Sequence, residues 1–321
     1  MMLHRRHERG DTDLHALVES FFRSSFSTDN RLITEAVKRM LAAGGKRLRP
    51  RITLLASEAC GGNALDHLDL AAYMELIHVA TLIHDDVVDN ASTRRGVNAT
   101  AVDYGNRVSV LAGDYLFAWI FKNVTARYPS PIPNVLSATL ADICDGEVLQ
   151  LQGAGDLNLS YDAYVEIARK KTASLFAASA QCGAIVGGAN ARDTAALRDF
   201  GELFGIAFQM NDDLLDICAD ERSLGKPVGN DLTERKVTIP LIEALKSRDD
   251  AFRNAVVRFY GGAANDVIPH IVAGIEREGG VLATQRHIRT FVEQAKAALE
   301  PIAEGTPKEE LLQLADALAA N

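Results

Sequence analysis

A chain of 321 residues that is 47% hydrophobic and only 6% aromatic can bury a large core, and its abundance of Ala and Leu favours helices throughout. A formal charge of −9, with the basic residues gathered into no single tract, argues against a nucleic-acid partner. No apolar run of about 18 residues occurs, so no membrane span is expected, and the opening MMLHRRHERGDTD lacks the apolar segment of a secretory signal.

The sequence contains no Ser/Gly-rich, proline-rich or low-complexity linker, so residues 1–321 are expected to form one domain. Cys60, Cys144, Cys182 and Cys218 lie far apart with mostly apolar or small neighbours, which predicts buried free thiols in a reducing, cytoplasmic compartment. In chain order, residues 12–26 and 30–43 carry apolar positions at helical spacing, with Asp29 or Asn30 as N-cap of the second. AGGKRLRP at 43–50 breaks that pattern: two glycines free the backbone beside Lys46, Arg47 and Arg49, and Pro50 starts the next helix. Flexible backbone beside clustered cations suits a diphosphate, although taken alone the segment reads first as a solvated basic loop.

Residues 66–90 form a predicted helix that ends in HDDVVDNASTRRG, so Asp85, Asp86 and Asp89 converge at one end of an apolar run, followed by Arg94 and Arg95. His78, Thr81, Asp85 and Asp89 are spaced 3, 4 and 4 and fall along one stripe; His78 is read as a ligand contact and His84, off the stripe, as structural. Residues 107–127 read as a buried helix, 128–133 as a loop and 133–152 as another helix. A long helix over 161–188 carries KKTASLF, whose Lys170, Lys171 and Thr172 interrupt an apolar face, which is costly for a lysine unless it meets an anion. FQMNDDLLDI, in a helix over 193–219, repeats the acidic spacing with Asp212, Asp213 and Asp216, and Gln209 precedes them by one turn. Residues 223–241, with Gly225, Pro227 and Gly229 beside Lys226 and Lys236, read as a mobile lid. The remainder is predicted as helices with glycine loops at 261–262 and 279–280, with no chemistry of their own.

The sequence shows no Walker loop, no GxGxxG after a strand, no HExxH or CxxC, and no recognisable nucleophile paired with a base. Its polar groups instead suit anions and an oxygen-liganded metal. Mg²⁺ takes carboxylate, water and phosphate oxygens, so two DDxxD helices can grip a diphosphate through several ions while Arg94, Lys171 and Lys226 or Lys236 neutralise its remaining charge. A diphosphate so held is a good leaving group, and an apolar helix interior below it suits a hydrocarbon chain and keeps water from a carbocation. A second cationic set, Lys46, Arg49, His78 and Arg95, points to a second phosphorylated substrate, and the pair of substrates points to head-to-tail prenyl coupling.

The motifs AGGKRLRP, HDDVVDNASTRRG, KKT, QMNDDLLD and GKPVGND…K, in this order over residues 43–241, resemble those of the trans-polyprenyl diphosphate synthase family, with no departure at a motif position. The resemblance implies an all-α isoprenoid-synthase fold, one large helical bundle around a central cavity, usually as a homodimer. It implies that Asp85, Asp86, Asp89, Asp212, Asp213 and Asp216 bind two or three Mg²⁺ ions. By the same carry-over Arg94, Lys171, Thr172, Gln209, Lys226 and Lys236 bind the allylic diphosphate, and Lys46, Arg49, His78 and Arg95 bind isopentenyl diphosphate. It implies too that released diphosphate can take the proton, with no protein base required. In the family small residues below the first cluster go with long products, and here the positions are Ala80 and Thr81. The expected product is therefore heptaprenyl to decaprenyl diphosphate, octaprenyl as the single choice, for quinone side chains.

A short-chain farnesyl or geranylgeranyl synthase and a catalytic subunit that needs a regulatory partner are the alternatives kept beside this reading. A terpene cyclase is disfavoured because the second motif is DDLLD and the basic loop is present. A silent partner subunit is disfavoured because both aspartate clusters are intact. A helical metal-binding scaffold leaves the two arginines, the basic loop and the lid unexplained.

Overall fold

The structure, a computed structural model, describes residues 16–94, 96–218, 229–262 and 264–320. Among these residues the only strands are β1 (Thr93–Arg94) and β2 (Val97–Asn98), and all other regular structure is helical, as the composition predicts. The helices before the strands are α1 (16–25), α2 (Arg31–Ala42), α3 (Leu48–Ala59) and α4 (Leu68–Val88). After them come α5 (Thr100–Tyr104), α6 (Asn106–Arg127), α7 (Ile132–Gly153), α8 (Tyr161–Ala168), α9 (Ser174–Val186) and α10 (Ala191–Cys218). The last group is α11 (Asn230–Thr233), α12 (Ile239–Ala244), α13 (Asp250–Tyr260), α14 (Ile268–Arg277), α15 (Gly280–Ala298) and α16 (Thr306–Ala319). The chain divides into two compact units: Met1–Ser137 with Ala178–Leu197 and Ile302–Lys308, and Ala138–Ala177 with Arg198–Pro301 and Glu309–Asn321.

The first unit is built on α4. Its sequence is apolar on every side rather than along a stripe, so the helix is enclosed, packed by α3 and α6. From Asp69 to Ile83 every residue is buried except His78 and Thr81. Asn30 caps α2 as expected, its side-chain oxygen accepting from the backbone N–H of Leu32 and Ile33. Close approach of α9 to α3 depends on two glycines four residues apart: a Cβ on Gly183 would sit 2.2 Å from the carbonyl oxygen of Thr53, and one on Gly187 2.4 Å from that of Ser57. His84 is structural, as its place off the stripe predicted. Its Nε2 donates to the Val110 carbonyl at 3.1 Å, and the ring lies where a Cβ on Gly113 would stand.

The basic loop departs from its expected role at one residue. Arg47, with a left-handed φ of 48°, turns inward and is 4% exposed. Its guanidinium donates to Glu75 at 2.6 Å, to Glu19 at 2.5 Å and to the Leu41 carbonyl at 3.0 Å. A guanidinium spent on two carboxylates inside the unit holds α1 to α4 and is not available to an anion from outside. Helix α3 also begins at Leu48, two residues before Pro50, which sits in its first turn.

In the second unit, α10 carries a stripe at four-residue spacing, Gly201, Gly205, Gln209 and Asp213, which meets the start of α9 at Gly201, residues 172–173 at Gly205 and Gln209, and α8 at Asp213. A Cβ on Gly201 would come within 2.5 Å of the Phe176 carbonyl oxygen, and one on Gly205 within 2.5 Å of the Ala173 Cα, so backbone meets backbone there. Phe176, Phe200 and Phe204 fill the space beside the glycines, with Phe176 edge-on to Phe204 at 5.2 Å. The single helix predicted over 161–188 is broken at Arg169–Ala173 by a π turn, which carries the KKT motif. The extra residue bulges the backbone of Lys171 against α7 at Gly146, where a Cβ would stand 2.4 Å from the Lys171 nitrogen; such bulges are common at functional sites.

The cysteine expectation holds in part. Cys182 is buried, Cys60 half-buried, and Cys144 and Cys218 are exposed on the outer sides of α7 and α10, where an apolar neighbourhood in sequence does not mean an inward face.

Because Gly201 meets main chain rather than a movable side chain, Gly201→Ala is expected to destabilise the protein by about 1–3 kcal/mol. The measurement is the urea unfolding midpoint, and an unchanged midpoint would show that the two backbones are not held at this distance.

Candidate functional site

Helix α4 ends at the first acidic cluster. Asn90 adopts the left-handed conformation at φ 50°, and the N–H of Ala91 reaches back to the Asp86 carbonyl at 2.9 Å, a Schellman-type stop. Three carboxylates thus sit at the negative end of a helix dipole, which disfavours their charge. Beyond this stop the chain enters β1 of the hairpin with Arg94 over the cluster, and its Nε donates to Asp86 Oδ1 at 2.7 Å. Asp86 is fully buried, and its Oδ2 has no hydrogen-bond partner among the described residues. Burial raises the Asp86 carboxyl above its usual range, with Arg94 opposing and Asp89 adding to the shift. Asp85 and Asp89 are half-buried. They lie on the predicted stripe with His78 and Thr81, the two accessible positions between Asp69 and Ile83; His84, Val87 and Val88, off the stripe, are also accessible at this end of the helix. Thr81 bonds its hydroxyl to the His78 carbonyl at 2.8 Å, and Ala80 beside it is fully buried.

The second cluster lies in the last two described turns of α10. Asp212 is exposed, whereas Asp213 and Asp216 are 4% and 1% exposed. Gln209 Nε2 donates to Asp213 Oδ1 at 2.7 Å, and the Tyr164 hydroxyl donates to Asp213 Oδ2 at 2.5 Å. Burial pushes the Asp213 carboxyl up to about 7; these two donors work against the shift, and Asp212 and Asp216 reinforce it. Thr172 donates its hydroxyl to Gln209 Oε1 at 2.6 Å, so the π turn and α10 are joined at the site. Lys171 pairs with Glu147 and donates to Gln150 Oε1 at 2.6 Å, both on α7, and Lys170 reaches Asp145 at 3.1 Å. The lysine that interrupts an apolar face has therefore found its anion within the protein.

The segment read as a lid is firmly tied wherever it is described. The N–H of Gly229 donates to the Asp216 carbonyl at 2.8 Å and the N–H of Asp231 to Asp216 Oδ2 at 3.0 Å. Arg235 stacks on Phe259 at 3.6 Å and donates to its carbonyl, Tyr260 donates to the Lys236 carbonyl at 2.8 Å, and Lys236 pairs with Glu234 at 2.5 Å. Lys226 and the rest of 223–228 lie outside the described residues, as does Arg95. Of the other cations, Lys46 is exposed and Arg49 is buried in the first turn of α3. Tyr164 and Glu147 are the residues that the sequence reading missed. The available signal was spacing: Tyr164 precedes Lys171 by seven residues, two helical turns.

Among the described residues no three His, Cys, Asp or Glu side chains stand in metal-holding geometry by themselves. The donor set nevertheless fits a hard divalent cation, because each cluster carries more negative charge than its own donors offset. Asp86 Oδ2 is buried without a hydrogen bond, and Asp213 is driven toward its protonated form. Mg²⁺ is commonly held by one or two carboxylates with substrate phosphate and water completing the octahedron. No described helix is long and apolar enough to cross a membrane.

Comparison with known proteins places these features in a wider set. The family model described as "Polyprenyl synthetase" matches residues 30–273. The chain is 37% identical over 288 residues to a short chain isoprenyl diphosphate synthase of Methanothermobacter thermautotrophicus, covering 88% of this chain and 89% of that one. It is 35% identical over 293 residues to octaprenyl diphosphate synthase of Escherichia coli, covering 90% of each. The crystal structure of a polyprenyl synthase from Caulobacter crescentus, complexed with calcium and isoprenyl diphosphate, superposes with a TM-score of 0.91 at 35% identity over 99% of this chain and 96% of that one.

Asp213 supplies a pH test on protein kept in chelator. A carboxyl whose folded-state value is about 7, against an ordinary value near ~3.9, holds its proton in the folded protein and loses it in the unfolded one between those limits. Stability is therefore expected to fall as pH rises through that window. Thermal unfolding of the chelated protein across it should show the decline, and Asp213→Asn should flatten it. Parallel profiles for the two proteins would overturn the assignment.

Proposed function

The chain belongs to the polyprenyl synthetase family of prenyltransferases, and we propose that it condenses isopentenyl diphosphate with an allylic diphosphate, farnesyl or geranylgeranyl, head to tail. Its all-α fold is the isoprenoid-synthase fold of the solved polyprenyl synthases. The observation that carries the proposal is the stripe on α4, where His78 and Thr81 are the two accessible positions between Asp69 and Ile83, Asp85 and Asp89 follow half-buried on the same face, and Arg94 is folded back over the acidic end.

In this reading residues 1–321 act as one polyprenyl synthase domain, working as a homodimer in the cytoplasm with no nucleic-acid partner. Asp85, Asp86 and Asp89, with Asp212, Asp213 and Asp216, hold two or three Mg²⁺ ions. When bound, these ions supply positive charge that stabilises the departing diphosphate. Arg94 spends its Nε on Asp86, and its terminal amino groups, with Lys171, Thr172, Gln209, Lys226 and Lys236, hold the allylic diphosphate. Lys171 reaches it by exchanging Glu147 and Gln150 for phosphate oxygens. Lys46, Arg49, His78 and Arg95 hold isopentenyl diphosphate with its double bond toward the allylic carbon.

The allylic C–O bond breaks, the isopentenyl double bond attacks the resulting cation, and a new C–C bond forms. The proton then lost from the coupled cation passes to the released diphosphate. Apolar residues of α4 on either side of this stripe keep out water, which would otherwise quench the cation.

The growing chain runs along the stripe past Thr81, with Ala80 buried beside it, and neither puts a ring in its way. Long products are therefore proposed, heptaprenyl to decaprenyl with octaprenyl the single choice, for quinone side chains. The relative in Escherichia coli named for octaprenyl diphosphate supports this length. The relative in Methanothermobacter thermautotrophicus named as a short chain synthase favours the second reading, a farnesyl or geranylgeranyl synthase.

The test is product analysis with Mg²⁺, farnesyl diphosphate and labelled isopentenyl diphosphate, the extracted alcohols sized by reversed-phase chromatography. A ladder ending near the octaprenyl alcohol is expected. A stop at geranylgeranyl would establish the second reading, and no incorporation would point to a missing regulatory subunit. Thr81→Phe should shorten the ladder with the fold intact, whereas Ala80→Tyr should shorten it and also lower stability, since Ala80 has no free space around it. Asp85→Asn should reduce turnover by at least about 10²-fold, and a rate near wild type would remove Asp85 from the site.

A further inference from the structure

Asp213 is an unusual place to keep a charge. It is 4% exposed, it faces α8 rather than solvent, and Asp212 and Asp216 flank it on the same helix. An anionic group so placed is costly unless donors and a cation meet it. The structure shows the donors. Tyr164 Oη donates to Asp213 Oδ2 at 2.5 Å and Gln209 Nε2 donates to Asp213 Oδ1 at 2.7 Å. A carboxylate held on one oxygen can pivot about its Cβ–Cγ bond, whereas donors on both oxygens fix its plane. Each oxygen still has acceptor capacity left, because an ionised carboxylate offers about four lone-pair sites and two are used here.

Tyr164 itself is 5% exposed, so no bulk water stands ready to take the place of its hydroxyl. Gln209, the other donor, is bound in turn: its Oε1 accepts from Thr172 Oγ1 at 2.6 Å. The chain of bonds Tyr164–Asp213–Gln209–Thr172 therefore begins on α8, crosses to α10 and returns to the π turn that carries Lys171. Gly201 and Gly205 lie on the same stripe of α10 as Gln209 and Asp213, and their missing side chains let α10 approach Ala173, Phe176 and Ala177, directly after Thr172 in the chain.

We propose that Tyr164 is a positioning residue whose phenol aims the Asp213 carboxylate at a divalent cation and, through Gln209 and Thr172, couples that aim to the Lys171 turn. Tyr164 touches no substrate atom. The inference rests on the reading of Asp213 as a metal ligand.

The experiment titrates Mg²⁺ into the full-length protein with inorganic diphosphate present and follows binding by calorimetry, with circular dichroism confirming the fold of each variant. Tyr164→Phe keeps the ring and removes only the donor. It is expected to weaken Mg²⁺ affinity by about 10–100-fold, the usual effect of removing a group that orients a metal ligand. The Mg²⁺ concentration for half-maximal turnover should rise by the same factor, with kcat recovered at saturating Mg²⁺. In an Asp213→Asn background Tyr164→Phe should change the affinity no further, because the residue acts through Asp213. That double variant has no carboxylate at position 213 to be left without its donor, so the comparison stands even if Tyr164→Phe alone does not fold.

Affinity unchanged by Tyr164→Phe, or a further loss in the Asp213→Asn background, would overturn the positioning role. If Asp213→Asn itself leaves Mg²⁺ affinity unaltered, the metal reading of Asp213 fails, and this inference falls with it for that separate reason.

Discussion

Carboxylates collected at the ends of helices impose the governing constraint on this protein. At the end of α4 the three aspartates repel one another, face the negative end of the helix dipole, and in Asp86 lose their water altogether. The second cluster repeats the problem with Asp213 and Asp216 buried. Much of the local architecture answers it. The first strand of the hairpin sets Arg94 on Asp86, Tyr164 and Gln209 meet Asp213, and the backbone N–H of Asp231 meets Asp216. These donors offset part of the charge and leave Asp86 Oδ2 without one among the described residues, which is the condition of a site that needs a cation from outside.

Close helix approach is the second requirement, and glycine meets it in both units by the same device. Gly183 and Gly187 admit the backbone of α3, while Gly201 admits the start of α9 and Gly205 the turn before it. Four-residue spacing keeps each pair on one helix face, so contact is continuous over a turn rather than at a point. On α10 the same stripe continues as Gln209 and Asp213. Packing and chemistry thus share one line of residues, and an error in the helix spacing at the glycines would be felt directly as a misplaced hydrogen bond at the carboxylate.

Cations with the same chemistry take different parts according to what they meet. Arg47 is spent inside the fold on Glu75 and Glu19, whereas Arg94 keeps donors beyond the one it gives to Asp86. Lys171 lies between these cases, paired with Glu147 and Gln150 at a turn whose backbone is bulged against Gly146. A carboxylate and an amide can be exchanged for phosphate oxygens at modest cost in a half-buried place. The fully buried pair of Arg47 and Glu75 cannot be opened so cheaply.

Composition was enough to read the helical class, and periodicity to read the stripe of His78, Thr81, Asp85 and Asp89 and the paired acidic motifs, because these follow from spacing along one helix and a helix keeps its spacing whatever surrounds it. Asn30 as a cap and His84 as a packed ring were legible for the same local reason. Tertiary structure decided the rest. Nothing in KRLRP distinguishes Arg47 from its neighbours until Glu19 and Glu75 arrive from 28 residues away on either side. The π turn in KKT, the docking of residues 229–236 onto Asp216, and the hydroxyl of Tyr164 on Asp213 all depend on partners distant in sequence. Such partners meet only after the helices have packed. Local periodicity sets which face a side chain occupies, and long-range packing sets what that face touches.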